Sequence, residues 1–146
     1  MNYGFQVSDL SIGRDKSGNW TLLSSSTPGK ENKTSSMLDS TTNLVINEWM
    51  ANGRNGDWIE FYNPQTMPVR LGGMYLTDDL SLVGRTKFEI PELNYIAAGG
   101  FVKWIADGDL GKGSDHVNFS LASLGEPIAL YSRAKSLVDK FEISQT

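Results

Sequence analysis

Apolar and polar residues alternate along this chain in short runs, and no long stretch carries the 3.6-residue period of a helix. Leu44-Val45-Ile46-Asn47-Glu48-Trp49-Met50 is the first clear run, with Leu44, Ile46 and Met50 read on one face. Trp58-Ile59-Glu60-Phe61-Tyr62 follows the turn Gly53-Arg54-Asn55-Gly56. Met67, Val69 and Leu71 alternate up to Gly72-Gly73, and Met74-Tyr75-Leu76-Thr77 stops at Asp78-Asp79. Phe88-Glu89-Ile90 ends at Pro91, and Phe101-Val102-Lys103-Trp104-Ile105 lies between Gly99-Gly100 and Asp107-Gly108. Ile128-Ala129-Leu130-Tyr131 and Leu137-Val138-Asp139-Lys140-Phe141 close the series. Short strands separated by turn residues every ~8–12 positions predict an all-β sandwich or barrel. The runs at Phe101 to Ile105 and Ile128 to Tyr131 are apolar on both faces, which predicts central strands covered on both sides.

The first 43 residues read differently. Phe5 to Ile12 and Trp20 to Leu23 predict two short strands around the turn Asp15-Lys16-Ser17-Gly18. Ser24 to Ser36 is rich in Ser, Thr, Gly, Pro and Lys and holds no apolar residue, the composition of a linker. The organisation read from this is an arm over residues 1–23, a flexible linker over 24–43 and a domain over 44–146.

Composition narrows the chemistry. In 146 residues there is no Cys and one His, so thiolate sites, disulfides and multi-imidazole metal centres are excluded. The net charge of −4 argues against nucleic acid as a partner, because phosphate binding draws on Lys and Arg. No run approaches the ~20 apolar residues of a membrane span, and no signal peptide opens this piece.

Each candidate site has a structural alternative. Gly111-Lys112-Gly113-Ser114 lacks the spacing and the helix of a phosphate loop. Asp107 and Asp109, with Asp115 near by and Asp78-Asp79 from another loop, are the candidate ligands for a weak calcium site; the alternative is a solvated acidic turn. No other cofactor is expected. His116 beside Asp115 is the residue a small hydrolase would use, but no G-x-S-x-G elbow accompanies it. Glu48 and Glu60 could pair as in a glycosidase, except that alternation places them on opposite faces. Trp58, Tyr62 and Trp104 are the candidate stacking platform for a carbohydrate, against a core role for the same rings.

The strand sequences resemble the lamin tail domain family. Ile46-Asn47-Glu48-Trp49-Met50-Ala51-Asn52 and Asp57-Trp58-Ile59-Glu60-Phe61-Tyr62-Asn63 are similar to its I-N-E-x-M-x-x-N and D-W-I-E-L-Y-N opening. Leu71-Gly72-Gly73-Met74-Tyr75-Leu76-Thr77-Asp78-Asp79 follows L-x-G-W-Y-L-S-D-D, with Met74 in place of Trp. Ile96 to Val102, His116 to Leu121, Gly125 to Tyr131 and Leu137-Val138-Asp139 continue the ordered series, and the clear D-W-I-E and L-T-D-D segments resemble the bacterial branch. Gln6 to Arg14, Gly18-Asn19-Trp20 and Thr27-Pro28-Gly29 resemble the end of such a domain, placed ahead of it rather than behind. That order reads as the tail of one repeat followed by a second repeat.

The resemblance implies an immunoglobulin-like β-sandwich without catalytic residues. It implies a structural or interaction module of a larger exported protein, at the cell surface, in the periplasm or outside the cell. The partner is then a protein or a cell-surface component. Two arrangements of the arm stay open: a monomer with the arm docked in cis, and a dimer with arms swapped. Carbohydrate binding through exposed aromatics is the alternative function, with the hydrolase behind it.

Overall fold

Residues 3–142 are described by the computed structural model. Eleven strands and three single 3₁₀ turns are present among them, with no α-helix. An N-terminal hairpin pairs β1 (Ile12–Arg14) with β2 (Trp20–Leu22). The core sheets use β3 (Val45–Met50), β4 (Trp58–Tyr62), β6 (Tyr75–Thr77), β7 (Phe88–Glu89), β9 (Phe101–Ile105), β10 (Ile128–Tyr131) and β11 (Leu137–Phe141). Between them β5 (Val69–Arg70) and β8 (Tyr95–Ile96) form a short ribbon.

One antiparallel sheet runs β3-β4-β9 and the other β11-β10-β6-β7. Alternation along β4 sends Ile59 and Phe61 inward, and along β9 it sends Val102 and Trp104 inward. These meet Leu76, Phe88, Ile128 and Leu130 from the opposite sheet in one continuous core. This is an immunoglobulin-like β-sandwich. Met74, 1% exposed, belongs to the same core.

The strand β10 is buried along its whole length between β11 and β6, as its two-sided apolar pattern predicts. The other two-sided run does not behave so. β9 lies at the side of its sheet, and Phe101 is 57% exposed. Its outward residues lie toward solvent, because among the described residues no second layer covers that face of the sheet.

A bulge in β3 corrects a second expectation. Its register shifts between Ile46 and Glu48, so Ile46 and Trp49 both pack against the core while Glu48 and Met50 turn outward. An extra residue in one strand inverts every later side chain, which simple alternation cannot register. Glu48 is therefore exposed, and it stands directly across from Glu60 on the same outer face.

The two sheets are joined along one side. Asp139 Oδ2 on β11 accepts the Ile46 backbone N–H at 2.8 Å, and the Phe141 ring lies 5.1 Å from that of Trp49. This tie satisfies an N–H of an edge strand that would otherwise be open to another chain.

The arm is a loop followed by the hairpin, rather than the extended strand predicted over Phe5 to Ile12. Asp9 adopts φ 65°, and the Leu10 N–H bonds back to the Val7 carbonyl at 3.2 Å. Residues 24–35 fold back on the hairpin, with Ser24 N–H on Thr34 O (2.9 Å) and Ser36 N–H on Leu22 O (2.8 Å). Asp39 then ties the chain to the sandwich through Pro68 O and the Met67 N–H.

Candidate functional site

The predicted aromatic platform is divided by the fold. Trp104 is 0% exposed, with ring centroids of Phe5, Phe61 and Phe88 at 4.9, 6.1 and 5.9 Å. It is a core residue and presents no stacking face, because β9 alternates and Trp104 takes the inward position beside Ile59. Trp58 and Tyr62 do share the outer face of β4, half-buried, with Glu60 between them. Tyr62 stacks on Phe101 with centroids 4.7 Å apart and planes at 23°. Glu60 accepts a hydrogen bond from Asn47 Nδ2 at 2.8 Å and has Lys103 across from it on β9.

The acidic residues are not brought to one point. Asp78 pairs with Lys87 Nζ at 2.6 Å. Asp79 closes its own turn by accepting the Ser81 N–H at 2.9 Å, and that bond, with the Ser81 hydroxyl, holds its carboxyl below the ordinary value. Asp109 accepts the Gly111 N–H at 3.0 Å. Asp107 accepts from His116 Nδ1 (2.9 Å), from Lys112 Nζ (3.1 Å) and from the Asp109 N–H (3.1 Å). The His116 bond is the main cause that drives the Asp107 carboxyl far below the usual carboxylate range, against a smaller opposing effect of burial. Lys112 is pushed up in turn by its bond to Asp107. Among the described residues no three acidic or histidine side chains are arranged to hold a metal. Each of these carboxylates closes a turn or pairs with a cation near by.

His116 is 15% exposed at its side chain, and its partners are carboxylates: Asp107 at Nδ1 and Asp115 Oδ1 at 3.8 Å from Nε2. Its backbone pairs with Ile105, so the ring sits where the Asp107 loop folds over that segment. The arrangement pins a loop.

The polar residues with the most structural consequence were not singled out by their chemistry. Asp57 Oδ1 accepts the Asn52 N–H (2.7 Å) and Oδ2 the Leu121 N–H (3.1 Å), joining two distant loops to the start of β4. Asn63, fully buried, donates to Met67 O and Ala97 O and accepts the Gln65 N–H. Asn94, 0% exposed, donates to Pro91 O and accepts the Phe5 N–H at 2.7 Å. Asp57 and Asn63 stand out only within the family-like segment Asp57 to Asn63, and otherwise all three are an Asp or Asn flanking an apolar run. That pattern looks the same for a turn residue and for a tie between remote segments.

Asn94 opens onto the seam between the arm and the sandwich. Gly4 N–H donates to Leu93 O (3.1 Å), and Phe5 O accepts the Tyr95 N–H (3.0 Å). A little further along, Val7 and Leu22 close over Tyr95 in a small second core. At the rim, Glu92 receives both Arg70 and Arg133, the latter at 2.7 Å to each carboxylate oxygen. Partial burial pushes the Glu92 carboxyl up, but the two guanidinium bonds outweigh it and leave it below the ordinary value. Three surface clefts take walls from the arm side. One lies over Arg14 to Ser17 and Glu31 to Ser35, a second between Trp20 and Arg70, and a third between Tyr3, Leu10 and Leu93.

No curated protein matches the chain. The family model for the Lamin Tail Domain matches residues 39–145, from the segment that ties the arm to the sandwich through the strands of both sheets. With most of its length matched, and with an immunoglobulin-like sandwich built from those residues, the chain belongs to the lamin tail domain family.

Proposed function

We propose that this chain is a non-catalytic interaction and spacer module of a larger exported protein of bacterial type, displayed at the cell surface, in the periplasm or outside the cell. One observation carries the reading. The polar residues of the family-like motifs, Asp57, Asn63 and Asp139, hold backbone groups of distant segments and do not converge on a shared cavity. A module built in this way presents surfaces. Its partner is a protein or another surface component, met on the arm side where the clefts lie. The fold needs no metal, and any calcium it takes is held weakly by exposed turn carboxylates.

The test is a hydrolase-substrate panel run on the full chain and on His116→Ala. The reading expects the same background from both. Turnover by the natural chain that disappears in a folded His116→Ala variant contradicts it. Location is tested on the parent protein in intact cells, where added protease should reach the module; full protection until lysis contradicts export.

A further inference from the structure

Next to Tyr3, the residues Gly4 and Phe5 are read very closely in the seam. Two backbone–backbone hydrogen bonds, Gly4 N–H to Leu93 O and Tyr95 N–H to Phe5 O, and one from the Phe5 N–H to the Asn94 side-chain oxygen fix them. A Cβ placed on Gly4 would fall inside the Asn94 side-chain amide, so this position takes glycine and no larger residue. Asn94 cannot swing away without cost. It is fully buried, and its Nδ2 is committed to Pro91 O. The next side chain, Phe5, reaches the main core and meets Trp104 edge-on at 4.9 Å. Backbone bonds supply the affinity and a steric filter plus one aromatic pocket supply the selectivity, the logic of strand-like peptide capture.

Nothing in those contacts requires that the captured segment belong to the same chain. The connector between the arm and the sandwich is short. Ser36 is still bonded to Leu22, and Asp39 is already bonded to Pro68 and Met67. Only Met37 and Leu38 lie between, both exposed. Two residues therefore connect the arm to the sandwich. Departure of the arm would uncover Tyr95, Leu22 and the Phe5 socket together, so an emptied seam is costly and replacement by an equal segment is favoured. Exchange of identical elements between copies is the low-cost outcome of such a geometry.

We propose that the Leu93–Asn94–Tyr95 ledge with the Trp104 wall is a peptide-acceptor site specific for a glycine–aromatic pair, and that a second copy of this chain supplies that pair by arm exchange. This rests on the interaction-module reading and names the partner for one of its surfaces.

The chain has no cysteine, so single thiols report on contacts cleanly. Tyr3 bridges Leu93 across the seam, close enough for a disulfide. A donor chain carrying Tyr3→Cys and an acceptor carrying Leu93→Cys are mixed at high concentration and oxidised. The proposal expects a Tyr3→Cys to Leu93→Cys heterodimer, reduced at least about tenfold when the donor also carries Gly4→Val. Absence of the heterodimer, or equal yield from the Gly4→Val donor, overturns it. A chain carrying both thiols is the folding control, since it should close within itself when dilute. If Leu93→Cys does not fold, the solution mass of the natural chain at high concentration replaces it: a dimer that Gly4→Val abolishes supports the proposal, and a monomer overturns it. Failure here leaves the non-catalytic reading standing, because the hydrolase panel tests that separately.

Discussion

The ring of Phe5 stands edge-on to the indole of Trp104, their centroids 4.9 Å apart and their planes at 85°. One ring comes from the N-terminal arm and the other from the middle of β9, nearly a hundred positions later. A residue ahead of the family-matched segment thus completes the core of that segment. Phe5→Ala should destabilise the full chain by about 2 kcal/mol, less than a fully buried Phe because this ring is half-exposed. Phe5→Leu should lose less than half of that. Urea unfolding followed by tryptophan fluorescence measures both, and an unchanged midpoint for Phe5→Ala removes the arm from the fold.

Asp57 offers a second test. Its two oxygens each hold a backbone N–H, from Asn52 and from Leu121. Asp57→Ala should cost about 2–3 kcal/mol, since it strips a charged acceptor from two donors. Asp57→Asn keeps one acceptor oxygen and should cost about half as much. Thermal unfolding of both variants decides it. Equal stability of Asp57→Ala and the natural chain would show that the loops do not depend on this carboxylate.

Glu48 and Glu60 face each other across β3 and β4. Like charges directly opposite oppose pairing, so Glu48→Lys should stabilise by about 0.5 kcal/mol. The gain should shrink in high salt, because the pair is exposed. A loss of stability in Glu48→Lys at low salt contradicts the bulged register, because without the bulge this lysine would point into the core.

Acid sensitivity follows from Asp107. An unfolded Asp carboxyl titrates near 3.9, whereas the bond from His116 holds the folded one far below its ordinary value. The folded value is the depressed one, so its stabilising effect is complete above the unfolded value. It drains away as the pH falls below about 4, toward the folded value. Asp107→Asn should therefore show a flatter loss of stability between about pH 5 and 2 than the natural chain. Parallel acid curves for the two chains would mean that this ion pair does not contribute.

How much of this was legible in the sequence divides by physical cause. Strand positions follow from alternation and turn residues, the two-layer sandwich from the family resemblance, and β10 from its unbroken apolar run. The bulge in β3 was not legible, because one extra residue leaves no compositional mark, and it moved Glu48 to the face of Glu60. Trp104 follows the core reading rather than the platform one. A large aromatic on a strand fits a platform and a core equally well until the register of its neighbours is known. Whether the acidic loops converge stayed open in the sequence, which gives types and not directions; each carboxylate serves its own turn or a nearby cation. Gly4 carried no signal at all. Its role depends on an amide some ninety positions away, and only the folded chain brings the two together.

The central claim is that the arm forms part of the sandwich, and amide hydrogen exchange on the full chain tests it most directly. The amides of Gly4, Phe5 and Tyr95 are bonded across the seam, to Leu93 O, Asn94 Oδ1 and Phe5 O, and that of Leu23 is bonded within the arm, to Ser11 O. They should exchange slowly, with protection for Tyr95 approaching that of core strand amides such as those of β4. Exchange of Gly4, Phe5 and Tyr95 at the rate of an unstructured peptide, while β4 stays protected, would contradict the account.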